Sequence, residues 1–348
     1  MARTNRAADT GLVPAILREY GEAARAALFR YLPSAEPRRY LYDLVADYPR
    51  RGGRGFRPSL CIATARAFGG SPDQALLTAA SIEMMHNAML IHDDIEDESE
   101  QRRGLPAMHQ KEGVPIAINV GDMLSILSMR PLFDNRQLLG PHLSLRILEE
   151  TEQMARESAE GQALELGWRR DNVTTIVEAD YLNMVLKKTC WLAAIHPCRV
   201  GALIGSGGRV DPEAFIRFGF LLGAAFQIQD DLLNLVGNAQ AYGKELGGDI
   251  HEGKRTMMLI HLFEQCTAGE GERLVAFLGQ PRAERQPEDV RWVRERMDAY
   301  DCIEYARQVS QGLAGAARHE FEELFRDVPD SRDRRFIEAL PAWVIERN

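Results

Sequence analysis

Leu90–Gly104 reads LIHDDIEDESEQRRG, an apolar helical run that ends in three aspartates, Asp93, Asp94 and Asp97, followed by Arg102 and Arg103. Residues four apart on a helix share a face, so Asp93 and Asp97 point the same way, and His86, two turns before Asp93, joins them. Buried like charges are unfavourable unless compensated, so a cation belongs between them. Oxygen-only ligands suit hard divalent ions such as magnesium. Taken alone, the stretch reads equally as a solvated helix end on which acids and bases alternate.

A second cluster shifts that balance. Phe226–Asn234, FQIQDDLLN, again ends an apolar helical run, with Asp230 and Asn234 one turn apart, Asp231 between them and Gln227 one turn before. The pair of motifs resembles the two aspartate-rich motifs of the trans-isoprenyl diphosphate synthases, and in particular the geranylgeranyl diphosphate synthases. The resemblance implies an all-α fold, a single large helical bundle whose central cavity the two motifs face. It also implies metal ligation by Asp93, Asp94, Asp97, Asp230, Asp231 and Asn234, holding about three magnesium ions. Asn234 replaces the last aspartate of the second motif. An amide oxygen can still ligate, without charge.

Other motifs of that family follow in order. Arg51–Pro58, RGGRGFRP, offers glycines that let backbone approach a ligand and arginine forks suited to phosphate oxygens. It resembles the family's GGKxxRP, with Arg54 in place of lysine. By that resemblance Arg54, Arg57, His86 and Arg103 hold the diphosphate of isopentenyl diphosphate, and Arg102 holds that of the allylic substrate. Gln162 and Glu165, in GQALE, share a helix face and correspond to a shell around the metal cluster. Lys188 and Thr189 match a Lys-Thr pair on the allylic diphosphate, with Gln227 nearby. Tyr242–Thr256, YGKELGGDIHEGKRT, carries Lys244 and Lys254 onto the same anion. His92 is left structural. Resemblance runs from about residue 50 to the end, so the chain is expected to be one domain, with residues 1–50 as an added helix pair.

Composition agrees. The 348 residues are 45% hydrophobic and carry a formal charge of −9, which argues against nucleic acid. Five scattered cysteines without CxxC spacing suit a reduced, cytoplasmic protein, and MARTNRAADTG has no apolar signal core. The apolar stretches 75–95 and 215–236 are broken by Glu83, His86, Asn87, Arg217, Gln227 and Gln229, so no membrane span is expected. Periodicity places helices near 12–32, 36–49, 57–68, 72–97, 114–133, 137–168, 173–206, 211–236, 254–266, 287–300, 302–327 and 331–345.

The implied chemistry is ionisation of an allylic diphosphate, attack by the double bond of isopentenyl diphosphate, and loss of a proton, with Asp93, Asp97, Arg102, Lys188, Asp230 and Lys244 carrying the catalytic charge. A class I terpene cyclase would place Ser or Thr and then Glu where Asp231, Asn234 and Asn238 stand. A squalene-synthase-type enzyme would lack the arginine-glycine and GKELGGD blocks. A regulatory subunit would have lost acidic ligands. The family resemblance also implies a homodimer built through helices near the first motif. Chain length is expected to be set by Met85, Ala88 and Met89, on the turns before Asp93. Farnesyl-forming members carry an aromatic ring at one of the last two positions, so small Ala88 and flexible Met89 predict a geranylgeranyl product, with a longer polyprenyl chain as the alternative and a farnesyl one behind it.

Overall fold

The computed structural model describes residues 11–237 and 247–347. Lys244 and Asn238 therefore lie outside the described residues. Among the described residues thirteen principal helices carry the fold: α1 (Leu12–Phe29), α2 (Phe56–Ala67), α3 (Pro72–Glu96), α4 (Val114–Leu139), α5 (Pro141–Arg170), α6 (Glu178–Ser206), α7 (Ile216–Val236), α8 (Gly248–Glu252), α9 (Met257–Gln265), α10 (Ala268–Leu278), α11 (Pro287–Ala299), α12 (Cys302–Leu324) and α13 (Arg332–Glu346). Helix α6 is composite: α-helix over Glu178–Val185, π-helix over Leu186–Ile195 and α-helix again over His196–Ser206. Pro197 has no N–H to give to the preceding turn, which favours the widened ladder before it.

Helix α3 packs along α4, α2 packs against the last part of α6, and α7 lies between α12 and the π-helical stretch, which α5 covers from the other side. Three adjoining apolar clusters hold these layers. Phe215, Phe218, Phe321, Phe325 and Phe336 are wholly buried in the first cluster, each contributing about 1.5–3 kcal/mol by leaving water. Close approach to the π stretch depends on glycines of α5 and α7. A Cβ on Gly161 of α5 would lie 2.1 Å from the Lys188 nitrogen, and one on Gly223 of α7 would lie 2.8 Å from the Cys190 sulfur. All five cysteines are unbridged.

Several boundaries differ from expectation. The helix expected over 36–49 is a π turn (Arg38–Tyr42) and two short turns (Asp43–Val45, Asp47–Arg50), because Pro49 cannot extend a hydrogen-bond ladder from the turn before it. Helix α6 starts at Glu178 rather than 173. Helix α10 was not expected, yet Thr267 and Glu270 form a capping box at its start. The glycines of AGEGE hide its apolar period. One strand pair interrupts the helices, Gln101–Arg102 (β1) against Leu105–Pro106 (β2).

Helix α4 is long and apolar enough to cross a membrane by composition, and 39% of its most apolar window is buried. The stretches 75–95 and 215–236 do not pass that test.

Candidate active site

The first bank of the site is the end of α3. Asp93 faces the cavity, with Arg102 Nη2 at 3.1 Å and Lys188 Nζ at 3.4 Å. The expected shared face holds only in part, since α3 ends at Glu96 and Asp97 is its C-cap. Asp97 is wholly buried beneath the cavity, 2.6 Å from Arg169 and 2.7 Å from Lys254. Burial works against its charge, but Lys254 outweighs it and the carboxyl sits below the usual range. Asp94 corrects the sequence reading. Its side chain is wholly buried, accepts from Tyr48 Oη at 2.6 Å, and takes Arg102 Nε at 2.9 and 3.0 Å. It is absent from the cavity lining, so it anchors Arg102 rather than offering a metal ligand.

The β1–β2 hairpin aims the two arginines apart. Its two-residue turn puts Arg103 at φ 55° and Gly104 at φ 74°, the left-handed pair that such tight hairpins need. Arginine in that region is strained, and the strain persists because the side chain is held: Arg103 Nη1 donates to the Tyr48 carbonyl at 3.0 Å and to Asn87 Oδ1 at 3.4 Å. Arg51 fastens the hairpin through the carbonyls of Arg102 and Pro106, both at 3.0 Å.

The second bank is α7. Asp230 is one third exposed and pairs with Arg347 at 2.7 Å. Asp231 is buried and accepts from Tyr181 Oη at 2.8 Å and Gln227 Nε2 at 2.7 Å. Burial pushes its carboxyl up to about 6 against those bonds. Gln227 in turn accepts from Thr189 Oγ1 at 2.8 Å. Asn234 is a second correction. Its Oδ1 accepts the Asp249 N–H at 3.1 Å, and the residue is buried away from the cavity, so it ties down the start of α8.

Two lysines stand between the banks. Lys188, on the π stretch, is ion-paired to Glu165 as well as Asp93. Lys254 lies 2.7 Å from Asp97, 2.8 Å from Glu252 and 3.7 Å from Asp249. Burial opposes both charges, but the surrounding carboxylates outweigh it and both ammonium groups sit above their ordinary range. Gln162 donates to Glu96 at the rim. Sequence reading did not single out Tyr48, Arg169, Tyr181, Glu252 or Arg347, which come from five separate segments and carry no motif of their own.

Asp93, Arg102, Lys188, Asp230, Asp231 and Lys254 line a cavity of about 760 Å³, and their buried partners stand behind its wall. A second pocket of about 380 Å³ adjoins it and shares Arg57, His86, Arg103, Phe226 and Asp230. Arg57 is the sign of what this pocket takes. Burial holds its guanidinium down to about 10, against the pull of Glu83 and Asp230, and its Nε has no hydrogen-bond partner among the described residues. Burial, with the Arg57 charge, holds His86 down to about 4. Arg54 stands exposed on the pocket wall. His92 contacts Asp122 at 3.4 Å on the α4 side.

The apolar part of the cavity is lined by Met85, Met89, Ser125, Ala159, Met184 and Leu192, among others. Ala88 is a third correction. It is wholly buried in the cluster formed by Leu28, Met84, Ile91 and Val120, on the side of α3 away from the cavity.

The donor set fits magnesium. Carboxylates from Asp93 on one bank and Asp230, Asp231 and Asp249 on the other reach the same cavity. Among the described residues no three His, Cys, Asp or Glu side chains enclose an ion by themselves. Magnesium asks for no such cage, since it keeps water and completes its shell on substrate phosphates.

A helical bundle with two aspartate banks on one cavity and a basic pocket beside it has the make-up of an enzyme that handles anionic substrates together with metal ions. The family profile described as polyprenyl synthetase matches residues 38–297, and the chain belongs to that family. A short chain isoprenyl diphosphate synthase of Methanothermobacter thermautotrophicus is 32% identical, over 95% of this chain and 98% of its own. The crystal structure of a geranylgeranyl pyrophosphate synthetase from Pyrococcus horikoshii superposes with a TM-score of 0.84 at 31% identity, covering 97% and 98% of the two chains. A polyprenyl synthase from Caulobacter crescentus, complexed with calcium and isoprenyl diphosphate, gives 0.82 at 27% identity, covering 98% and 99%. The chain is thus an isoprenyl diphosphate synthase, a prenyltransferase of geranylgeranyl diphosphate synthase type.

Proposed function

We propose that this prenyltransferase condenses isopentenyl diphosphate with an allylic diphosphate and stops at geranylgeranyl diphosphate. The observation that carries the division of roles is Arg57, a half-buried cation whose buried Nε has no partner among the described residues, in a basic pocket beside the aspartate-lined cavity. An anion satisfies it, and the double bond of a bound isopentenyl group would then lie toward the cavity.

In this reading Arg54, Arg57, His86 and Arg103 hold the isopentenyl diphosphate. Arg102, Lys188, Thr189 and Lys254, with Lys244, hold the allylic diphosphate, and Asp93, Asp230 and Asp231 face the cations, with Asp97 behind Lys254 until that lysine turns to the phosphate. About three magnesium ions, when bound, would supply positive charge against the departing diphosphate. The lysines now paired with Asp93, Asp97 and Glu165 turn to phosphate oxygens, which neutralises the leaving group and frees carboxylate oxygens. The allylic cation is attacked by the isopentenyl double bond, and the released diphosphate accepts the proton. No side-chain nucleophile is needed.

Product length is supported by the face of α3 toward the cavity, where flexible Met85 and Met89 stand. A homodimer is supported by α4, whose Ile118, Ile126 and Phe133 recur at seven- and eight-residue spacing and are 44%, 66% and 51% exposed. A cytoplasmic setting is supported by the unbridged cysteines. The decisive experiment incubates the protein with magnesium, isopentenyl diphosphate and each allylic starter, then sizes the dephosphorylated alcohols. A farnesyl end product overturns the product assignment, and sedimentation as a monomer overturns the dimer.

A further inference from the structure

Glu83 is the group in the second pocket that the diphosphate reading leaves unused. It is 4% exposed, on α3, and shares the wall of that pocket with Arg51, Arg54, Arg57, Arg103 and Arg347. Among the described residues lining it, the one other acid is Asp230, which Arg347 engages. A buried carboxylate facing an anion site repels the anion, and it is costly to keep unless its neighbours use it.

Its neighbours are the groups assigned to the anion. Glu83 Oε2 stands 3.8 Å from His86 Nδ1, a buried nitrogen that has no hydrogen-bond partner among the described residues. Glu83 Oε1 accepts from Asn87 Nδ2 at 3.2 Å, and the Glu83 carbonyl accepts from the same amide at 2.7 Å. With its NH2 so held, Asn87 can offer only its oxygen to the other side, and that oxygen receives Arg103 Nη1 at 3.4 Å. The carboxylate and the Glu83 carbonyl together fix which way the amide faces, and the amide oxygen shares with the Tyr48 carbonyl the task of aiming Arg103. Beside Nδ1 it also favours a proton on that nitrogen and a second one on the ring when an anion meets the other nitrogen. Arg57 from α2 and Asp230 from α7 complete the charges facing this group.

We propose that Glu83 is a positioning residue of the isopentenyl diphosphate pocket, its carboxylate fixing the Nδ1 proton of His86 and the Asn87 amide orientation that aims Arg103 at the anion. The inference rests on the assignment of that pocket to isopentenyl diphosphate. It gives an acid a constructive task where simple electrostatics gives it only repulsion, and the two differ in sign.

Steady-state kinetics with each substrate varied in turn separate them, using Glu83→Gln, Glu83→Asp and Arg57→Ala. Positioning requires that Glu83→Gln raise the KM for isopentenyl diphosphate about tenfold or more while the allylic KM stays within about twofold, and that Glu83→Asp recover part of the loss. An unchanged or lower KM in Glu83→Gln means the acid merely repels the anion and overturns the proposal. Equal rises for both substrates with a lowered melting temperature mean a structural role and overturn it as well. If Arg57→Ala raises the isopentenyl KM and Glu83→Gln does not, the pocket assignment stands and this proposal alone fails; if Arg57→Ala has no effect, both fail. Should Glu83→Gln not fold, Asn87→Ala, which removes only the amide relay, must raise the same KM.

Discussion

Arg347 Nη2 lies 2.7 Å from Asp230 Oδ1, so the residue that follows α13 holds an aspartate of the second acidic motif. The guanidinium also donates to the Phe226 carbonyl at 2.8 Å and lies 3.7 Å from the centre of the Phe226 ring. Phe226 and Asp230 are one turn apart on α7, so a single side chain from the far end of the sequence clamps the helix face that lines both pockets.

Removing that clamp is expected to cost stability. Arg347→Ala should lower the unfolding free energy by about 1–3 kcal/mol, mostly through the lost carbonyl bond and ring contact, because Asp230 is part-exposed and its pairing is screened. Arg347→Lys should recover only part, lacking the fork. Urea melts of the three proteins measure this, and identical midpoints would show that the contact contributes nothing.

Asp93 and Asp94, adjacent in sequence, should behave oppositely. Asp93→Ala is expected to cut turnover by about a thousandfold or more with a small change in melting temperature, since it faces the cavity. Asp94→Ala strands Arg102 and the Tyr48 hydroxyl in the interior and should cost about 3–5 kcal/mol of stability. Paired thermal melts and activity assays on the folded fraction separate the two. Asp94→Ala with wild-type stability would reinstate it as a ligand.

Acid sensitivity follows from buried histidines. Burial, with Arg199 nearby, holds the pKa of His196 down to about 3, whereas an unfolded histidine titrates near 6.5. Between those values the unfolded chain binds the extra proton, so stability is lost as pH falls through that window, at up to about 1.4 kcal/mol per pH unit. His86 adds a similar loss down to about 4. Denaturation at about pH 7, 6 and 5 should show the decline, and His196→Gln should remove one group's share of the slope. A wild-type slope unchanged by that substitution would mean His196 is not buried neutral.

Chain length should respond to the cavity face of α3. Met89→Phe puts a ring into the cavity and is expected to shorten the product by one isoprene unit. Ala88→Phe instead forces a ring among Leu28, Met84 and Val120 and should cost about 1–3 kcal/mol of stability with product length unchanged. Sizing the alcohols from both variants decides between the two positions.

The sequence alone determined the helical class and both acidic helix ends, because an apolar period of 3.6 residues interrupted by acids is local information, and its resemblance to the family pointed to the arginine, lysine and glutamine groups that meet there. It also placed Arg57, His86, Arg103, Lys188 and Thr189 at the cavity. Tertiary structure decided what each carboxylate does. Asp94 and Asn234 sit in the same motifs as Asp93 and Asp231, yet Tyr48, Arg102 and the α8 backbone claim them, and those partners lie 46, 8 and 15 residues away along the chain. Ala88 was assigned to the cavity by its distance from Asp93 along the chain, but packing against α4 turns that face of α3 into core. The hairpin that parts Arg102 from Arg103, and the pairing of Asp230 with Arg347, likewise rest on contacts between distant segments, where position along the chain carries no information about distance in space.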